Sequence, residues 1–496
     1  MVKFFNRERE MAELDAFLER EGAQLVGVYG RRRVGKTTLL TTWAARTGLP
    51  ILYWVAKRDP KQALMASLAQ TIWAWERGPS TALRQGSGRG SGHRDEPREI
   101  GIQPRSWEDV FQMMARTIGN RRVIVILDEL PYALQQDRGF ASHIQAAWDH
   151  LFKDSNVLLF LSGSHIGMMV DLLTYQAPLY GRFTAQLPLL PLSFPDICDF
   201  LPRYDVYKRL AVYAILGGIP AYLERWDDGE RIAANVQRLF LQRTGWFRNE
   251  PLVLISDLTR RESTSFEAIL RALAAGNHTR EDIAAASAIT SPSLSHYLPR
   301  LIELNLVERR IPATVPLKQR RTSRLSRYYL SDPYLRFYYR FIDPNLHLIE
   351  QGLTGRLWQM MEDSFRAFVA LTFEELCQVW TLAQARMDKL PFAPDAVGSH
   401  WAADVQVDVV AIAWREKRIL LGECKWGMKD MGRSVVRELV EEKTPRVLAA
   451  LSDRGEGWAV HYAFFARTGF TETARAEAAR HNAILVNLAA LDRDLR

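Results

Sequence analysis

Residues 23–46 read AQLVGVYGRRRVGKTTLLTTWAAR and constrain the fold more than any other stretch of the chain. An apolar run long enough for one strand gives way to Gly30, four residues, then Gly35-Lys36-Thr37 and a helical pattern. The spacing G-x-x-x-x-G-K-T has a physical cause. Glycines let successive backbone N–H groups curl around a phosphate, and the helix that follows adds the positive end of its dipole. Lysine reaches the outer phosphates, and the threonine hydroxyl is a ligand for Mg²⁺. ATP with Mg²⁺ is therefore the expected ligand, held by Gly30, Arg33, Gly35, Lys36, Thr37 and Thr38. An α/β fold with a parallel sheet follows from the strand–loop–helix order.

A companion signal stands at RRVIVILDEL, a buried-looking strand ending in Asp128-Glu129. Asp128 is placed to hold Mg²⁺, and Glu129 to orient or activate the attacking water as the catalytic base beside Lys36. An acidic helix start after a core strand would look the same, but the phosphate loop upstream and this strand end explain each other. A further strand, NVLLFLSGSH, ends in Ser162 and Ser164. Ser164 reads either as a γ-phosphate contact or as ordinary turn chemistry. Arg182, isolated in the apolar APLYGRFTAQLPLLPLSF, is either a catalytic arginine acting in cis or from a neighbouring subunit of a homo-oligomer, or a salt-bridge partner. LAVYAILGGIPAYLERW then predicts a helix broken at Gly217-Gly218 and Pro220, a helical lid following the nucleotide core.

At 496 residues the chain exceeds one core and calls for several domains. The formal charge of +8 favours polyanionic partners such as nucleic acid, without choosing between DNA, RNA and an acidic membrane surface. Cys198, Cys377 and Cys424 form no CxxC pair, which suits a reducing cytoplasm and implies neither disulfide framework nor zinc site. The charged opening MVKFFNREREMAELDAFLER lacks the apolar centre of a signal peptide, and no apolar run is long enough to span a membrane. Residues 78–104, rich in Gly, Ser, Arg and Pro, cannot bury a core and read as a flexible insertion.

From Ser265 to Arg310 three short helices and a strand are expected, with Thr279 and Asp282 as a capping box and Ser291 capping a helix whose first residue is Pro292. That rhythm, followed by LKQRRTSRLSRYYL, matches a winged helix-turn-helix whose Lys318, Arg320, Arg321, Arg324 and Arg327 face phosphates, or a module that only packs. In SDPYLRFYYRFID, Tyr334, Phe337, Tyr338 and Phe341 recur at helical spacing and form a packing face.

RILLGECK, residues 418–425, is an apolar strand whose end presents Glu423 and Lys425 on one face. VQVDVVAIAW precedes it, with four residues between. An even hairpin loop sets Asp408 opposite Glu423, and two facing carboxylates repel unless a cation lies between them. Lys425 or a metal ion fills that role.

In this order, FFNREREMAELDAFL, GVYGRRRVGKTTLL, VIVILDEL, LLFLSGS, PLYGR and LGGIPAYL resemble the archaeal-type ATPase family, a branch of the STAND proteins related to AAA+ ATPases. The resemblance implies that Asn6, Arg7 and Glu8 lie on the adenine side. SDPYLRFYYRFID resembles the opening of the C-terminal region that accompanies this family, and VDVVAIAWREKRILLGECKW resembles its PD-(D/E)XK nuclease-like domain, with Val407 in place of the literal proline. That likeness implies Mg²⁺ on Asp408 and Glu423, Lys425 as a catalytic lysine, and Glu375, or Glu374 beside it, completing the acidic set.

The expected architecture is a P-loop ATPase core over 1–195, a helical lid over 196–258, a winged helix over 259–332, a connecting helical segment over 333–360, and an α/β restriction-endonuclease-like domain over 361–496. The expected activity is ATP hydrolysis coupled to a DNA-interacting, Mg²⁺-dependent nuclease-like domain. The alternatives are a signalling switch or a transcription regulator whose last domain binds without cutting.

Overall fold

The computed structural model describes residues 5–78, 104–258, 263–402, 404–451 and 453–496. Two compact units emerge: residues 1–192 with 219–221, and residues 193–218 with 222–496. Most of the expected insertion, residues 79–103, lies outside the described residues.

In the first unit, strands β1 (Gln24–Tyr29), β2 (Ile51–Val55), β3 (Val123–Asp128), β4 (Val157–Gly163) and β5 (Ala185–Pro188) form one sheet in the order β2-β3-β4-β1-β5. Every neighbouring pair runs parallel. β1, β3 and β4 are continuous apolar runs because helices cover both faces of a parallel sheet. Leu64, Met65, Leu68 and Ile72 of the helix Lys61–Arg77 pack onto it together with Trp107, Val110, Phe111 and Met114 of the helix Trp107–Ile118. β2 and β5 are the sheet's edges, and neither stands out from sequence. β2 is buried only on alternate residues, and β5 is four residues long and ends in proline. In the opening helix Glu8–Leu18, Met11, Leu14 and Phe17 are buried and Leu18 is half-buried.

β5 lies against β1 so closely that the Leu189 N–H bonds to the Tyr29 carbonyl at 2.7 Å. A Cβ on Gly30 would sit 2.2 Å from the Leu189 carbonyl oxygen, so the first glycine of the phosphate loop is a packing requirement as well as a binding one. Gly35 needs the other freedom: its φ is +99° at the entry to the helix Lys36–Thr47.

In the second unit, the helix Val206–Leu216 stops at Gly217, where φ is +62°, as the glycine pair predicts. Helices Ser263–Ala274, Arg280–Ser287 and Ser291–Glu303 precede an antiparallel ribbon of β6 (Val307–Arg310) and β7 (Arg327–Leu330). Thr279 caps its helix by accepting from the Asp282 N–H. The next helix begins one residue earlier than expected, with Thr290 at the N-cap position making no side-chain capping bond and Pro292 still in the first turn. Tyr334, Phe337, Tyr338 and Phe341 are all buried, which makes their stripe a packing face.

The C-terminal part is a mixed sheet in the order β12-β11-β10-β9-β8, formed by β8 (Ala396–Trp401), β9 (Gln406–Ala413), β10 (Arg418–Lys425), β11 (Ala459–Ala466) and β12 (Ile484–Asn487). β8, β9 and β10 are antiparallel neighbours, whereas β10, β11 and β12 run parallel. Val410, Ile412, Ile419 and Leu421 meet Val436, Leu439 and Val447 in its core. The long helix Gly355–Arg386 contacts β8, β9 and β10.

Because backbone rather than a movable side chain opposes Gly30, Gly30→Ala is expected to cost the first unit ~1–3 kcal/mol. Urea unfolding followed by fluorescence checks this, and a wild-type midpoint would refute the packing account.

Candidate functional site

β4 lies between β1 and β3, so the ends of the phosphate-loop strand and the acidic strand flank the Ser162–Ser164 turn. Lys36, 4% exposed, folds back over the loop and donates to the carbonyls of Gly30 at 2.9 Å and Arg31 at 3.3 Å. Burial lowers its pKa, and the charges of Glu129 and Asp128 oppose that shift. The Thr37 hydroxyl donates to Asp128 Oδ2 at 2.6 Å. The two groups expected to share a magnesium ion are thus already joined, and their hard oxygens fit that ion.

Asp128 is fixed from further directions. The Tyr53 hydroxyl donates to its Oδ2 at 3.1 Å, and the Glu129 N–H to its Oδ1 at 2.9 Å. Burial, then the neighbouring Asp128 charge, pushes the Tyr53 phenol up, so it remains a donor. Tyr53 escapes sequence reasoning because it sits in an edge strand without a motif.

Glu129 adopts φ +52° and accepts from the Ser164 hydroxyl at 2.7 Å. The structure therefore shows Ser164 holding the glutamate, which is a different task from contacting a phosphate. Arg182 is engaged as well: its guanidinium pairs with Asp149 at 2.8 and 2.9 Å and donates to the carbonyls of Pro178 and Tyr180. This is the salt-bridge arrangement among the two readings of that residue. Arg7 ties the N-terminal segment to the loop by donating to the carbonyls of Val34 at 3.1 Å and Leu190 at 2.8 Å, and it pairs with Glu10. Asn6, immediately before it, turns the chain with φ +56°, and Arg33 in the loop has φ +69°. Thr38 follows Thr37 on the first turn of the helix Lys36–Thr47.

In the second unit, β9 and β10 are joined by the four-residue turn Trp414–Lys417. Their pairing runs from Arg418↔Ala413 to Gly422↔Val409, and the next step sets Asp408 opposite Glu423. Asp408 Oδ2 accepts from the Cys424 N–H at 2.9 Å. Glu423, 4% exposed, accepts from Lys425 Nζ at 2.9 Å on one oxygen and from Lys443 Nζ at 2.8 Å on the other. Two ammonium groups supply the cation that the facing carboxylates require. Lys443 comes from 18 residues beyond Lys425 and belongs to no pattern legible in sequence.

The acidic neighbour differs from the one expected. Burial alone would raise the Glu375 carboxyl, yet Arg336 and Arg310, at 2.8 and 2.6 Å, hold it down at about 2. Its charge is spent on those arginines. Burial, then the charges of Asp408, Glu375 and Glu423, pushes Glu374 up to about 8. Asp408 is pushed up to about 6 by burial and by Glu423. Glu374 is thus the carboxylate turned electrostatically toward the pair. Among the described residues no three His, Cys, Asp or Glu side chains converge as metal ligands. The oxygen donors of Asp408 and Glu423 suit a hard cation, while both oxygens of Glu423 are occupied by lysines.

Two of the three cysteines, scattered in sequence, come together here: Cys377 and Cys424 are both buried, and their thiols neighbour each other. Among the described residues no helix is long and apolar enough to cross a membrane.

Comparisons with known proteins cover both ends of the chain. Residues 4–226 match a family described as an ATPase domain predominantly from Archaea. Residues 338–437, which include Asp408, Glu423 and Lys425, match a family described as archaeal and bacterial proteins of unknown function. An uncharacterized protein of Methanocaldococcus jannaschii is 27% identical over 445 residues, covering 88% of this chain and 90% of its own. Among solved structures, a Walker-type ATPase of Pyrococcus abyssi is 23% identical, covers 68% of this chain and 96% of its own, and superposes with a TM-score of 0.49. The Aeropyrum pernix ORC2 protein, in ADPNP–ADP complexes, is 15% identical over 71% of this chain and 96% of its own, with a TM-score of 0.42. Residues 4–226 are thus similar to the ATPase-domain family, and residues 338–437 to the second family.

Proposed function

We propose that ATP binding and hydrolysis in the first unit govern a Mg²⁺-dependent, DNA-directed, nuclease-like domain in the second. The observation that carries the ATPase half is the Thr37–Asp128 hydrogen bond, with Lys36 and Glu129 beside it. Lys36 leaves its loop carbonyls for the β- and γ-phosphates. Glu129, released from Ser164, takes the proton of the attacking water. Bound Mg²⁺ supplies charge neutralisation on the phosphate oxygens.

The nuclease half rests on Asp408 facing Glu423 at a strand end where Lys425 is within bonding distance. Those carboxylates would hold Mg²⁺, and Lys425 would stabilise the charge that develops on a phosphodiester. Exposed Lys318, Arg321 and Arg324, between β6 and β7, support reading the three helices and ribbon as a winged helix that contacts DNA phosphates. A second reading, a switch whose last domain binds without cutting, draws support from the two lysines that already satisfy Glu423.

Lys36→Ala is expected to lower ATP turnover about 10²-fold or more. Glu129→Gln should bind ATP normally and lose about 10²–10⁴-fold in hydrolysis. Phosphate release and nucleotide titration check both, and wild-type turnover in either variant contradicts the assignment.

Glu423→Ala should abolish cutting of plasmid or linear DNA in Mg²⁺ or Mn²⁺. Absence of cutting by the wild type, with ATP still hydrolysed, selects the switch reading.

Glu374 gives a pH test in metal-free protein. Its folded pKa of about 8 lies above the ordinary 4.5, so the folded state holds a proton that the unfolded chain has released between those values. Stability should therefore fall as pH rises through that window and level off above it, and Glu374→Gln should flatten the decline. Parallel denaturation curves for both proteins from pH 5 to 8 would overturn this.

A further inference from the structure

Lys425 ends β10 and Ala466 ends β11, and the parallel pairing brings these carboxyl ends side by side. Ligands of open α/β sheets lie beyond such ends. The residue after β11, Arg467, donates its backbone N–H to the Lys425 carbonyl at 3.0 Å. Its guanidinium carbon lies 4.7 Å from the centre of the Tyr207 ring and 5.0 Å from that of Trp426. Tyr207 is anchored in turn, donating its hydroxyl to the Arg467 carbonyl at 3.1 Å.

What this arginine lacks is an acid. Its Nη1 meets only the weak acceptor Met428 Sδ, at 3.0 Å, and its Nε is buried without a partner. The next residue, Thr468, likewise buries an unpartnered hydroxyl. Arg209, Arg336 and Arg310 of the same unit also lie largely out of water, and although Arg209 and Arg336 likewise bury an unpartnered Nε, each of the three has a carboxylate: Arg209 has Asp492, and Arg336 and Arg310 share Glu375. Aromatic faces fix the plane of a guanidinium but leave its donor edge to an outside acceptor.

We propose that Arg467, clamped between Tyr207 and Trp426, is a phosphate-binding position for a nucleic-acid strand at the carboxyl edge of β10 and β11. The site deepens the DNA-directed reading above but does not require cutting. The guanidinium donates to a backbone phosphate.

The test is fluorescence anisotropy of the full-length protein with fluorescein-labelled single-stranded and duplex DNA oligonucleotides, titrated at several salt concentrations without divalent metal. Arg467→Ala should weaken binding about 10-fold and reduce the slope of log K against log salt by about 1. Arg467→Lys keeps the charge and should keep the wild-type slope while losing part of the affinity, which separates a phosphate contact from a packing role if the alanine variant folds poorly. Wild-type affinity and slope in Arg467→Ala, a slope lost equally in Arg467→Lys, or no binding by the wild type each overturns the proposal. Binding with this pattern but no cutting in Mg²⁺ leaves the phosphate position standing and rejects only the nuclease half of the proposed function.

Discussion

A 2.6 Å hydrogen bond from Thr37 to Asp128 joins two residues that are 91 positions apart, and the nucleotide chemistry proposed for the first unit rests on it. The bond exists because a parallel sheet with β4 between β1 and β3 brings both strand ends to one edge. Around it the polar groups satisfy one another. Lys36 is held by loop carbonyls, Asp128 by Tyr53 and its own neighbour's N–H, and Glu129 by Ser164. Lys36, Asp128 and Glu129 each have a polar partner, which is what burial demands. On the proposed function, a triphosphate replaces the loop carbonyls at Lys36 and the serine at Glu129.

The second unit solves a comparable problem with lysines. Facing Asp408 and Glu423 across β9 and β10 is unfavourable, and Lys425 and Lys443 neutralise Glu423 from both sides. Burial, and then the remaining repulsion, pushes the carboxyls of Asp408 and Glu374 to about 6 and about 8. Glu375, one residue from Glu374, is held at about 2 by two arginines. Adjacent helix positions point in different directions, so neighbouring glutamates serve opposite electrostatic roles.

Motifs that close locally were legible from sequence: the phosphate loop, the Asp128-Glu129 strand end, the break at Gly217, the aromatic stripe and the even hairpin that opposes Asp408 to Glu423. Long-range groups were not. Tyr53 lies in an edge strand, Lys443 on a separate helix, and Arg467 beyond a different strand, so no periodicity links them to the site. Cys377 and Cys424 look scattered until the long helix is laid against β10. The choice between Glu374 and Glu375 turned on Arg310 and Arg336, whose approach only tertiary structure reveals.

Coupling between nucleotide state and DNA is the claim on which this account rests, and linkage makes it measurable as a difference of affinities. The direct measurement is the Kd of full-length Glu129→Gln for a duplex oligonucleotide, with and without saturating ATP and Mg²⁺. A shift of about 5-fold or more, in either direction, is predicted. Equal Kd values, with ATP binding verified in the same preparation, would contradict the coupling and leave two units that act independently.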